Sequence, residues 1–174
     1  MANQKSGPVW VTYLGRTEYE NLNSYWAFCE SESDPPARVA LLHAASAASE
    51  ADRLADRFSA LSRVYLKDPP GIEPIPFDGE DVDSFQKASL AVFETAADEL
   101  TADLIVDVSP TSWSHVPILL MKSVWAFRHR VRRVVYFQYA EPGLREMPYP
   151  LIPRQSIFRH DLLTVFPEPQ EKKA

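Results

Sequence analysis

"LIVDVSPTSWSH", Leu104–His115, changes character halfway along. Leu104–Val108 is an apolar run broken only by Asp107. Ser109, Thr111, Ser112 and Ser114 then crowd into six positions, with Trp113 among them and His115 at the end. A short, nearly continuous apolar run predicts a strand covered on both faces. The next stretch, "VPILLMKSVWAFRHR", predicts a helix that starts at Pro117, where a missing N–H costs nothing. The quoted segment is therefore a strand-to-helix junction, unusually rich in hydroxyl groups.

The same alternation extends to both sides. Val9–Leu14 ("VWVTYL"), Val39–Ala44 ("VALLHA") and Val134–Tyr139 ("VVYFQY") predict strands, and Ile72–Phe77 ("IEPIPF") an edge strand because of Pro74 and Pro76. Spacings of three and four predict three helices with inward stripes. The first stripe is Ala51, Leu54, Phe58 and Leu61. The second is Val82, Phe85, Leu90, Phe93, Ala97 and Leu100. The third is Ile118, Met121, Val124, Trp125 and Arg128. Strand–helix–strand alternation implies an α/β fold, a Rossmann-like, mainly parallel sheet with helices on both faces of a single domain. The Pro-rich stretch after Tyr139 is expected to wrap the core and to end in a last strand at Leu162–Phe166. The chain divides into an N-terminal arm (1–8), the Rossmann-like domain (9–166) and a flexible tail (167–174).

Composition narrows the function. The 174 residues carry a net charge of -6, which argues against a duplex nucleic acid partner. Cys29 is the single cysteine, so neither a disulfide framework nor a cysteine zinc site is expected. No signal-peptide core and no apolar run of about 20 residues occurs, so a cytoplasmic protein with no membrane partner is expected. His43, His115, His129 and His160 lack metal-ligand spacing, and no dinucleotide, Walker or Gly-x-Ser-x-Gly motif appears. No metal and no cofactor is expected. The basic run Arg128–Arg133 falls at a helix C-terminus, far from the strand ends that carry function, and reads mainly as a solvated face.

Ligands of open parallel sheets bind outside the carboxyl ends of the strands, where strand order reverses. A Rossmann-like order sets the first strand beside the fourth, so the loops Gly15–Asn23 and Ser109–Pro117 would face each other. Both lead into helices whose N-terminal N–H groups favour anions. Each residue also has a plain structural reading. Gly15 suits a tight turn, while Ser109, Thr111 and Ser114 suit helix caps. Trp113 suits a core plug or a subunit interface.

These segments resemble the CARF (CRISPR-associated Rossmann-fold) domains, which sense cyclic oligoadenylates. "VTYLGRTEYENL" is similar to that family's first strand and Gly-containing turn. "DVSPTSW" follows the family's fourth-strand ending at Asp107, Val108 and Ser109. It departs at Thr111, where the family has Gly, and at Trp113, where it has Lys or Arg. The resemblance runs from about Val9 to Tyr139.

It implies a homodimer with a two-fold symmetric pocket for a cyclic oligoadenylate, tetra-adenylate favoured over hexa-adenylate. The binding residues implied are Gly15, Arg16, Thr17, Ser109, Pro110, Thr111, Ser112, Trp113 and Ser114, with Trp113 stacking on adenine. With no fused effector in this sequence, it is most similar to the stand-alone ring nucleases of type III CRISPR antiviral defence. Their metal-independent reaction uses the ligand's own 2′-hydroxyl against the neighbouring phosphorus and leaves 2′,3′-cyclic phosphate ends. Arg16, Ser114 and His115 are the expected catalytic residues. Arg16 would supply charge, Ser109, Ser112 and Ser114 hydrogen bonds, and His115 acid–base chemistry or a helix cap. Trp113 in place of the basic residue favours a second reading, a non-cleaving sensor or sponge acting through a separate partner. A third keeps only the fold, as a domain for an unrelated nucleotide.

Overall fold

In a computed structural model, which describes residues 7–32, 35–79, 81–98, 103–110 and 116–165, the apolar strand β1 (Val9–Tyr13) is buried at every residue. It lies between β2 (Arg38–Ala44) and β4 (Leu104–Asp107), parallel to both. Beyond β2 runs β3 (Gly71–Phe77), and beyond β4 runs β5 (Val131–Tyr139), again parallel. The sixth strand, β6 (Ile157–Asp161), closes the order β3-β2-β1-β4-β5-β6 and is antiparallel to β5. The expected neighbours, first strand and fourth, are thus side by side, and the proline-bearing β3 is at an edge as predicted.

Alternate residues of the central strands face two helix layers, as a strand's period of two requires. Trp10, Val39, Leu41 and Ile105 pack under α1 (Glu18–Ser31) and α2 (Ala48–Tyr65). Trp10 meets Tyr25 and Phe28 at ring-centroid distances of 5.5 and 5.0 Å, and Tyr25 meets Phe58 edge-on at 4.8 Å. Val9, Val11, Leu42, Val106 and Val134 pack on the other side under α3 (Val82–Asp98) and α4 (Val116–Ala126). The result is the α/β, Rossmann-like single domain that the alternation implies.

Several expectations need correction. The segment Leu162–Val165 is a short helical turn, α5, rather than a strand. The Asp161 carboxylate accepts hydrogen bonds from the Leu163 and Val134 N–H groups at 3.1 Å each, which starts the turn and ties it to β5. On α4 the buried stripe is Val116, Leu119, Leu120, Ser123 and Val124, whereas Ile118 and Trp125 are 67% and 47% exposed. That helix is apolar almost all round, so spacing alone does not choose its inner face. Val82 is also exposed, at the first position of α3, where it precedes the turn that packs. The segment Glu18–Asn23 belongs to α1, leaving only Gly15–Thr17 as loop.

The basic run is only partly solvated. The Arg128 guanidinium donates to the Val131 carbonyl, Arg130 to that of Ala96, and Arg133 pairs with Glu32. Residues 97, 100 and 166 of the predicted stripes and last strand, the tail 167–174 and most of the arm 1–8 lie outside what is described of side chains or chain. Among the described residues, no helix is long and apolar enough to cross a membrane.

Candidate functional site

The chain leaves β1 through Leu14, Gly15 and Arg16 and enters α1 at Thr17, which keeps extended backbone (φ -125°, ψ 154°). Glu20 and Asn21, one turn into α1, fold back on this loop. Asn21 Oδ1 accepts the Gly15 N–H at 2.8 Å, and Glu20 Oε2 accepts the Arg16 N–H at 3.0 Å. Gly15 is required by this close approach, since a Cβ there would lie 2.8 Å from Glu20 Oε2 and 3.0 Å from Asn21 Oδ1. Two backbone donors of the loop are therefore occupied by the chain's own side chains. The Glu20 carboxylate is buried, and Arg145 lies 3.8 Å from it.

Beneath the turn lies a polar cluster that ties α1 to β1 and β4. Asn21 Nδ2 donates to Thr12 Oγ1 at 3.1 Å and to the Tyr13 carbonyl at 2.8 Å. The hydroxyls of Ser24 and Thr12 donate to Asp107 Oδ2 at 2.7 and 3.3 Å, and the Ser109 N–H donates to Oδ1 at 3.0 Å. Complete burial pushes the Asp107 carboxyl up to about 6, with the hydrogen bonds from Ser109, Ser24 and Thr12 pulling the other way. Burial likewise pushes Tyr139 up to about 12 and Tyr13 further still, so both hydroxyls keep their protons. Tyr13 donates to the Pro110 carbonyl, which joins the end of β1 to the segment after β4.

Above the cluster, the strand ends enclose a cavity of about 280 Å³. Its walls include Gly15 and Arg16 after β1, His43 and Ala44 at the end of β2, Phe77 of β3, and Val116 opening α4. Beside it lies a trough of about 650 Å³ between Ala45–Ser46 and Pro76–Gly79. Arg16 is exposed, and no described residue holds its guanidinium. Thr17 Oγ1 is buried and has no hydrogen-bond partner among the described residues. Both groups lie at the mouth of α1, and Arg16 lines the cavity.

The structure brings together Gly15, Arg16, Thr17 and Pro110 near the carboxyl ends of β1 and β4. Ser109 is buried there too, but its hydroxyl accepts the Phe137 N–H at 3.0 Å and is hydrogen-bonded to Asp107, which commits it to holding β4 against β5. Thr111, Ser112, Trp113, Ser114 and His115 lie outside the described residues.

Sequence reasoning missed the buried set Thr12, Asn21 and Ser24, together with His43. Its one signal was the amide-rich "ENLN", too polar for a buried helix by periodicity. Among the described residues, no group of three or more His, Cys, Asp or Glu could hold a metal ion.

No protein-family model matches the chain, and no curated protein matches it. Among solved structures it is similar to Enterococcus italicus Csm6 bound to cyclic hexa-2′-fluoro-hexa-dAMP, with a TM-score of 0.57 and 13% identity. The match covers 92% of this chain and 44% of that one, so the chain spans less than half of that protein's length. The likeness is one of fold, the α/β, Rossmann-like architecture described above.

Proposed function

We propose that this chain binds a cyclic oligoadenylate at the crevice over the carboxyl ends of β1, β2 and β3, as part of type III CRISPR antiviral defence, and opens the ring. The observation that carries the reading is the Arg16 guanidinium, without a partner among the described residues, at a cavity over the carboxyl ends of β1, β2 and β3 beside the β1–β4 switch point, in a fold shared with a protein that holds a cyclic hexanucleotide analogue. Arg16 neutralises a phosphate, and the loop Thr111–His115 carries the stacking and hydroxyl groups. The 2′-hydroxyl of the ligand attacks the adjacent phosphorus, without a metal, once the pocket bends the backbone into line. Cyclic tetra-adenylate is favoured over hexa-adenylate.

A cavity of about 280 Å³ is at or below the about 300–1,000 Å³ of a drug-sized ligand. One copy thus holds part of a ring, and a homodimer completes the site. The exposed Ile118 and Trp125 of α4, the helix whose first residue lines the cavity, support that pairing. A binding-only sensor or sponge is the second reading. It is favoured by Ser109, whose hydroxyl is held within the sheet.

Incubation with cyclic tetra- and hexa-adenylate in EDTA, followed by chromatography with a parallel binding assay, tests both. Linear products ending in 2′,3′-cyclic phosphate establish ring opening, whereas tight binding of an intact ring establishes the sensor. Absence of both binding and cleavage removes the assignment. Arg16→Ala should weaken binding or cleavage more than any single change in Arg128–Arg133, and the reverse ranking moves the site to the basic run.

A further inference from the structure

His43, the residue before the last of β2, is 3% exposed, yet it lines the same cavity as Gly15 and Arg16. Its Nδ1 lies 2.9 Å from the Ala44 carbonyl oxygen. A carbonyl can only accept, so Nδ1 donates, and the neutral tautomer that this bond selects carries its lone pair on Nε2. Among the described residues His43 has no other hydrogen bond or ion pair, which leaves Nε2 without a described partner. The imidazole is thus covered, oriented by its Nδ1 hydrogen bond and set in a wall that also bears the cation of Arg16, which has no partner among the described residues. That is the arrangement expected of an oriented base beside a charge that stabilises an anion.

We infer that His43 is the catalytic acid–base group of this crevice, an inference that rests on the ring-opening reading above. Nε2 takes the proton of the ligand's 2′-hydroxyl as that oxygen bonds to phosphorus. The bond from phosphorus to the 5′ oxygen breaks, and the imidazolium returns the proton to that oxygen, directly or through water. The products are a 2′,3′-cyclic phosphate and a 5′-hydroxyl, with no co-reactant consumed. Arg16 faces the phosphoryl oxygens throughout.

The test compares the full chain with His43→Gln, His43→Ala and His115→Gln, using single-turnover cleavage of cyclic tetra-adenylate in EDTA and binding on the same samples. His43→Gln should slow cleavage by about 100-fold or more, the usual contribution of a positioned acid–base group. Its affinity should stay within about threefold, because the lost interaction acts on the transition state. Added imidazole should restore part of the His43→Ala rate, which a merely structural role would not allow.

Cleavage by His43→Gln at the wild-type rate overturns the assignment while leaving the ring-opening reading intact. So does a loss confined to His115→Gln, or parallel loss of binding and cleavage without imidazole rescue. A wild-type protein that binds the ring and leaves it whole also overturns it, with binding retained. One that neither binds nor cleaves takes down the parent reading as well.

Discussion

Helices α1 and α2 pack on the same face of the sheet by different means. α2 buries Ala51, Leu54, Phe58 and Ser62 along a single stripe and leaves its other side to solvent. α1 buries nine of its 14 residues, among them Glu20, Asn21, Asn23 and Ser24. Its outer side is covered by the Pro-rich strap. Asn23 donates to the Met147 carbonyl at 2.9 Å, and Tyr149 donates to Glu30 at 3.0 Å. α2 is held mainly by the area that it removes from water. The first turns of α1 are held by directional hydrogen bonds, each of which demands a particular partner. Hydrophobic burial thus secures one side of the domain, while a polar lattice sets the position of the loop that borders the cavity.

Substitutions can break or sharpen that contrast. Phe58→Ala should cost about 3–5 kcal/mol in urea unfolding, the range for truncating a core aromatic, and should leave the crevice intact. Asn21→Ala removes the partners of the Gly15 N–H and the Tyr13 carbonyl. At about 1–3 kcal/mol for each buried group left unpaired, it should cost about 2–6 kcal/mol, and it should also disturb ligand binding. If Asn21→Ala left binding unchanged while Phe58→Ala abolished it, the division of labour would be wrong.

Asp107 offers a milder probe. Its folded carboxyl is raised to about 6, so the folded state holds the proton more tightly than an unfolded chain, whose ordinary aspartate titrates near about 4. This group's contribution should therefore lower stability as pH rises from about 4 to about 6, by about 2–3 kcal/mol, and stay level above that. Unfolding measured across that window should show the slope in the wild type and lose it in Asp107→Asn. The smallest effect belongs to the outer side of α4. Ile118→Ser should change monomer stability by no more than about 0.5 kcal/mol, because that side chain is already 67% exposed.

What could be read in advance follows the same physics. The strands of the parallel core and the α2 stripe were legible, because burial on both faces, or on one, leaves an apolar run or a clean period. α1 was not, because a buried face built from Glu20, Asn21, Asn23 and Ser24 has no apolar period. α4 failed in the opposite way. Ile118 and Trp125 are as apolar as Leu119 and Val124, so nothing in their spacing tells inside from outside. At the site, the position of the loop that carries Gly15 and Arg16 followed from strand order, and the role expected of Arg16 from the family resemblance. His43 did not, because the end of "VALLHA" reads as one more strand residue until β2 is seen to stop at the cavity. Asp161 starts a turn where the apolar "LLTVF" reads as a strand, since the side-chain cap outweighs local β propensity.

Pro74 and Pro76 of β3 have a consequence for how the protein behaves in a crowd. They lie two residues apart, so their missing N–H groups point the same way. The pairing of β3 with β2 runs unbroken from Gly71 to Phe77, so the donors it uses belong to the residues between. The open rim of the sheet therefore lacks two successive donors that an incoming strand would need. A chain that meets this rim finds acceptors without their matching donors, and stacking into fibrils from that side is discouraged even when the protein is concentrated.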